Sequence, residues 1–397
     1  MIPTKENTFC FHPFNQITLK KWTPQGLKTS NPCCQMSSGD FGKNLKIDRI
    51  KFKNPIEIFN DKVFQQLRDD LLNGVKNDMC ETCWKMEENG FTSFRLYSKD
   101  NDLTDDIKLQ KIDLTINNNC NLGCRMCSPT SSHKLLIDEK KMRELNIKAK
   151  YEKSIGQLYE KQRISDVTNS LQFKWLEKNT DKITKLLCSG GEPFYDRKLI
   201  NLLKKYVENE DAKNTILEFH TNATMFSDEI VDLQSNFKGI SHVFSIDGVD
   251  SVYEYIRNYD FHLLEKSVLN FLQKCKNINI IKINLVLTSL NVLNVNEWEE
   301  WIKFIFHSTK NEKKFHTLIS QAYPYERGTS IRNLPISILK EARNRTNHFQ
   351  LLEFIDYAIN NNKENKQKML DEIKCLDVVR GQNFKDYVDP ILSDWLK

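Results

Sequence analysis

Three cysteines within eight residues constrain this chain more than any other feature: Cys120-Asn-Leu-Gly-Cys124-Arg-Met-Cys127. They follow KIDLTI at 111–116, a run that reads as a strand, so the C-x3-C-x2-C spacing lies on the loop that leaves it. Thiols this close converge on one centre if the strand delivers them to the open end of a sheet, where α/β folds place their ligands. Further strand-like runs stand at 183–188, 215–220, 240–246, 281–287 and 315–322. Between them, Leu199, Leu202, Leu203 and Tyr206, then Leu264, Val268, Phe271 and Leu272, then Trp298, Trp301, Ile302 and Ile305 recur at helical spacing. Six strand–helix units predict an α/β fold with a parallel sheet, and the helical stripes read as core.

Eleven cysteines make an odd count, and Met1 to Cys10 hold no apolar run of the kind a signal peptide needs. Metal ligation is therefore expected rather than a disulfide framework, in a cytoplasmic protein. No stretch approaches the ~18–20 apolar residues that span a bilayer, so no membrane is expected. The 58 Lys and Arg against 53 Asp and Glu give a formal charge of +5, spread along the chain. Without a basic, aromatic-studded stripe, nucleic acid is not an expected partner. Three soft thiolates can each hold one iron of a cubane cluster and leave the fourth open; a structural zinc would ask for four protein ligands.

In this order of elements the chain resembles the radical S-adenosylmethionine (SAM) superfamily, whose motif has this cysteine spacing after the first strand of a partial (βα)6 barrel. The likeness covers roughly residues 110–330. It implies a 4Fe-4S cluster on Cys120, Cys124 and Cys127, with SAM on the open iron. Met126 stands where many members carry an aromatic residue, and can pack on the adenine. Gly190-Gly191-Glu192-Pro193 is similar to the family's GGEP element, whose backbone approaches the cofactor's ammonium. Asn222, in His220-Thr-Asn-Ala-Thr224, resembles a polar ligand of the cofactor; Ser245 and Asp247, in Ser245-Ile-Asp-Gly248, resemble the ribose-facing segment. Arg257 follows as a partner for the cofactor carboxylate, and Asn291 ends the segment after the fifth strand.

The remaining cysteines gather before residue 100. Cys10, the Cys33-Cys34 pair and Cys80-Glu-Thr-Cys83 could supply four thiolates to one metal, iron–sulfur or zinc. Together with Ile56 to Asn60, Glu87, Gly90, Ser93 and Arg95, they resemble the twitch or SPASM-type auxiliary modules of radical SAM enzymes, although those usually follow the barrel. That likeness implies one auxiliary cluster, read here as 4Fe-4S on Cys10, Cys34, Cys80 and Cys83, with Cys33 the alternative to Cys34. The expected domains are residues 1–98, a twitch-like module; 108–330, the barrel, with a helical insertion at about 128–180; and 331–397, a helical C-terminal extension.

The resemblance implies an enzyme that makes a 5'-deoxyadenosyl radical and abstracts hydrogen from a substrate, with the auxiliary cluster in electron transfer. It also implies a flavodoxin- or ferredoxin-type electron donor. By analogy with auxiliary-cluster relatives the substrate is a peptide or protein; a small-molecule (sugar or nucleotide) dehydrogenase, an RNA-modifying radical enzyme and a non-catalytic zinc module are the rivals. Cys188, Cys275 and Cys375 read as packing residues.

Overall fold

Each of the six expected strands has a counterpart in the computed structural model, and two more strands precede them. The strands are β1 Gln16–Thr23, β2 Gly26–Asn31, β3 Lys111–Thr115, β4 Lys185–Ser189, β5 Ile216–Thr221, β6 Gly239–Ile240, β7 Val243–Ser245, β8 Ile281–Leu287 and β9 Phe315–Gln321. The structure describes residues 8–23, 26–36, 52–88, 90, 92–97, 107–147, 166–321 and 328–397; Ala322, residues 98–106 and the 148–165 part of the expected insertion lie outside them. The chain divides into two compact units, residues 1–117, 164–190 and 198–218 in one, and 118–163, 191–197 and 219–397 in the other.

In the first unit β1 and β2 form an antiparallel hairpin, β1 runs parallel to β3, and β3 runs parallel to β4. The N-terminal segment, expected as a module of its own, thus contributes a strand to the sheet next to β3. Period-two alternation explains why these residues form strands: Ile17, Leu19, Ile112, Leu114 and Leu186 are fully buried on one face. The other face is polar and also buried. Thr18 donates to Asp113 Oδ2 at 3.0 Å from the facing register position, and Lys111 and Lys185 both reach Glu218, at 3.4 and 3.3 Å. Below this sheet, Asn54 caps Pro55–Phe59 and Asp61 caps Lys62–Leu72, two helices whose Ile58, Phe59, Phe64, Leu67 and Leu71 are buried.

In the second unit the end of β5, β7, β8 and β9 are parallel neighbours, and every second residue of β8, from Ile281 to Leu287, is buried. The run expected at 240–246 is interrupted because the Phe219 amide donates to His242 Nδ1, at 3.0 Å, rather than to a ladder carbonyl. His242 Nε2 meets Gln234 Oε1 at 2.6 Å, fixing the ring fully buried. The helices Phe261–Lys274 and Val295–Ser308 cover these strands with the stripes expected from sequence. The expected helices at 336–349 and 351–358 appear as Ile336–Arg345 and Phe349–Asn360. A further helix, Lys366–Arg380, ends at Gly381, whose φ of +64° suits glycine. Among the described residues no helix is long and apolar enough to cross a membrane.

Candidate metal and cofactor site

The triad loop is buried and closely bonded. Cys120 and Cys124 are buried and Cys127 half-buried, with Leu122, Met126 and Tyr259 packed around them. Cys127 donates its amide to the Cys124 carbonyl at 3.1 Å, Leu122 its amide to Cys120 Sγ at 3.4 Å, and Cys120 its amide to His133 Nδ1 at 3.2 Å. Ser132 Oγ holds the Leu122 carbonyl at 2.5 Å. Burial pushes the Cys120 thiol up to about 12, with the neighbouring Cys124 adding to it. The Cys127 thiol donates to Cys124, which lowers the Cys124 thiol to about 7 and raises that of Cys127; Arg257 adds to the lowering.

Among the described residues no three His, Cys, Asp or Glu side chains already stand as a formed metal site. The donor set nevertheless suits an iron–sulfur cluster. The three thiols lie on one short buried loop, burial makes Cys120 costly as a free thiolate, and iron relieves that cost by taking the place of the proton. Two nitrogen donors face the sulfurs: Arg257 Nη1 lies 3.7 Å from Cys124 Sγ and Asn222 Nδ2 3.9 Å from Cys120 Sγ. Such contacts tune a cluster.

Most of the other expected cofactor residues lie at or just beyond the ends of β4, β5, β7 and β8, and Arg257 ends the helix Asp250–Arg257. Gly190 has φ of +128°, and a Cβ there would stand 2.7 Å from the Asn117 carbonyl oxygen. A Cβ on Gly191 would stand 1.9 Å from the Asn119 carbonyl oxygen. The two glycines therefore admit the backbone that leads into the triad loop, and Glu192 N donates to that Asn119 carbonyl at 2.7 Å. The Glu192 side chain is fully buried: Oε1 accepts from Thr221 Oγ1 at 2.7 Å and Phe194 N at 3.2 Å, and Oε2 from Asn222 N at 2.7 Å. Burial pushes its carboxyl up to about 7 against the lowering effect of these donors. Pro193, buried, opens the short turn Pro193–Tyr195.

Asn222 Nδ2 also donates to Asn121 Oδ1 at 2.9 Å, while its Oδ1 accepts from Thr224 N and Oγ1 at 3.0 and 2.6 Å. Asp247 is fully buried; Oδ1 accepts from Val286 N at 2.7 Å and Oδ2 is ion-paired with Arg257 Nε. Burial raises the Asp247 carboxyl, and the Asp247 carboxylate, with Cys124, holds the Arg257 guanidinium above its usual range. Asp247 and Arg257 are thus bonded to each other, and Arg257 also faces Cys124 of the triad loop. Asn291 Nδ2 donates to the Asp247 and Val286 carbonyls, both at 3.0 Å, and Oδ1 accepts from Thr288 N at 2.8 Å. Ser245 stands half-buried at the end of β7.

In the first unit Cys10, Cys33, Cys80 and Cys83 line one pocket with His12, Met36, Phe94 and Arg95. Phe9, Phe11, Phe14, Leu67, Leu71 and Trp84 pack behind it. Burial pushes Cys80 up to about 12 and Cys10 further, and each thiol is also raised by the nearby Cys83. Cys34 does not line this pocket. It receives a hydrogen bond from Cys33, which lowers it, and the charges it senses are Asp113, Lys20 and Lys111 rather than Cys10. Cys33 thus lines the pocket with the other three thiols, and Cys34, the ligand of the sequence reading, packs against the apolar cluster behind it. Glu87, Ser93 and Arg95 form a clamp beside Cys83: Ser93 Oγ and Arg95 Nε donate to Glu87 Oε1 at 2.5 and 3.0 Å, and Arg95 Nη1 holds the Phe9 carbonyl at 2.9 Å next to Cys10.

Sequence reasoning passed over four residues around the triad. Asn121 and His133 were hidden as ordinary loop polars. Arg125 was visible only as a charged residue between two cysteines of the motif. Asp138 lies on Lys134–Glu144, where a solvated face was the natural reading.

Residues 114–305 match the family model "Radical SAM superfamily". No curated protein sequence matches the chain. Among solved structures, native anSMEcpe with bound AdoMet is 18% identical, with 64% of this chain covering 63% of that one at a TM-score of 0.37. Streptococcus suis SuiB bound to S-adenosylmethionine is 16% identical, with 77% of this chain covering 60% of that one at a TM-score of 0.36. The chain thus spans under two thirds of each.

Proposed function

We propose that this chain is an enzyme that cleaves SAM reductively at a cluster held by Cys120, Cys124 and Cys127, a reading supported by the match of residues 114–305 to the radical SAM family model. The observation that carries the reading is the convergence of these thiols with Arg257 and Asn222 at one buried loop. When bound, a 4Fe-4S cluster with SAM on its open iron supplies the electron that splits the sulfonium and yields a 5'-deoxyadenosyl radical able to abstract hydrogen. The protein's part is positional. Glu192 ties the turn after β4 to the end of β5, Asp247 orients Arg257, and Arg257 brings positive charge to Cys124. Buried in this way, the loop keeps bulk water from the thiolates.

The four pocket thiols Cys10, Cys33, Cys80 and Cys83 hold one auxiliary 4Fe-4S cluster in this proposal, in a twitch-like arrangement. With four thiolates it has no open iron, which suits exchange of an electron rather than substrate binding. The substrate class, a peptide or protein, follows from the resemblance to auxiliary-cluster enzymes, and the electron donor would be a flavodoxin or ferredoxin. The test is anaerobic reconstitution of wild type and Cys124→Ala, followed by reduction with SAM present. Wild type is expected to form 5'-deoxyadenosine and Cys124→Ala none, while the N-terminal cluster signal persists. Equal 5'-deoxyadenosine from both proteins would refute the assignment.

A further inference from the structure

We propose that Asp377 and Arg380, on the helix Lys366–Arg380, are positioning residues for the triad loop. This deepens, and rests on, the radical SAM reading above. Two of the loop's interior residues, Gly123 and Arg125, are each fastened to that helix. Arg125, between Cys124 and Cys127, is buried; its Nη2 donates to Asp377 Oδ1 at 2.5 Å and its Nε to the Tyr255 carbonyl at 2.8 Å. Its guanidinium lies 3.6 Å from the centroid of the Tyr255 ring, and the Tyr255 hydroxyl itself donates to Asp377 Oδ1 at 2.8 Å. Gly123, between Cys120 and Cys124, has its carbonyl bound by Arg380 Nη2 at 2.6 Å, and the same nitrogen reaches Asp138 Oδ2 at 2.6 Å.

Asp377 and Arg380 act through the loop that carries the sulfurs: Arg380 holds the Gly123 carbonyl and Asp377 holds the Arg125 guanidinium. Both anchors are charge-assisted and lie in buried surroundings, where such bonds are short and strong and leave few alternative loop conformations. Two fixed points within four residues limit how far Cys124 can move relative to its neighbours. A loop held in this way should retain its cluster once loaded, because releasing iron needs the thiolates to separate. The C-terminal extension is on this view part of the metal site, 252 residues from Arg125 in the case of Asp377.

The test follows the EPR signal of reduced, reconstituted protein that changes when SAM is added, since only a cluster with an open iron responds to SAM. Its half-life is measured under excess ferrous chelator, with thermal denaturation recorded alongside. Arg380→Ala and Asp377→Leu are expected to shorten that half-life at least tenfold. Asp377→Asn, which keeps a carbonyl for Arg125, should restore most of it. Arg343→Ala, which removes an exposed pair with Asp356, should behave as wild type and so controls for a general loss of stability. Half-lives within twofold of wild type for both Arg380→Ala and Asp377→Leu would overturn the proposal. If Asp377→Leu does not fold, Arg380→Ala decides alone. A wild type without any SAM-responsive signal overturns the underlying radical SAM reading instead, and is told apart by that.

Discussion

Gly191→Ala tests how the turn after β4 is built. A Cβ at that position would stand 1.9 Å from the Asn119 carbonyl oxygen and 2.4 Å from its carbon, both backbone atoms that cannot rotate away. Restoring ordinary contact near 3.4 Å needs the two segments to part by about 1.5 Å. That displacement stretches the Glu192 N to Asn119 carbonyl bond well beyond its 2.7 Å. Overpacking of this kind costs roughly 1–3 kcal/mol, and a buried hydrogen bond left unmade adds about 1 kcal/mol or more. About 3 kcal/mol in all corresponds to a fall in Tm of roughly 6–12 °C for a unit of this size. Thermal denaturation followed by circular dichroism measures it, with Gly90→Ala as the comparison. Gly90 has φ of +80° and open space around its Cβ, so only backbone strain of about 1 kcal/mol applies there. Since Asn119 immediately precedes Cys120, the Gly191 variant should also load less iron at the triad. A Gly191→Ala protein with the Tm and iron content of wild type would refute the packing argument.

Glu192 gives a pH dependence. Its folded carboxyl, raised to about 7 by burial, contributes stability that is present below about 4.5 and is lost as pH rises through 7, up to about 3 kcal/mol. Glu192→Gln lacks this contribution, so the Tm of wild type relative to the variant should fall between pH 4.5 and 7.5; parallel Tm–pH curves would contradict the assignment. Cys33→Ala should hold about four irons after reconstitution, against about eight in wild type and in Cys34→Ala, on the ligand counts above. Equal iron in both single variants would mean that either cysteine serves, and about four irons with one zinc in wild type would favour a zinc site at the N-terminus.

The parallel strands from β3 onward were legible in sequence because burial on alternating or continuous apolar positions leaves a direct trace, as at Ile281 to Leu287. β1 was not legible. Its residues QITLKKWT alternate correctly, but the nearby cysteines suggested a free-standing module, and nothing local announces that a strand will pair with residues about 95 positions later. The cysteines themselves were legible by spacing, whereas the choice between Cys33 and Cys34 depends on which way each side chain of an adjacent pair faces. The expected cofactor ligands were read from motif likeness. What Glu192, Asp247 and Asn291 bond to could not be, because their partners, Thr221, Arg257 and the Val286 backbone, lie on other strands and loops. The helix Lys366–Arg380 left little periodic signal, since it buries Asp377 alongside Met369, Leu370, Ile373 and Leu376.

The bond from Arg380 to the Gly123 carbonyl joins residues 257 positions apart. During synthesis the cysteine motif therefore leaves the ribosome long before the helix that holds its loop. A nascent chain exposes three thiols on an unanchored loop throughout that interval, open to oxidation and to capture of the wrong metal. On the proposed reading of the triad as a cluster site, iron loaded only after the helix has docked escapes both hazards.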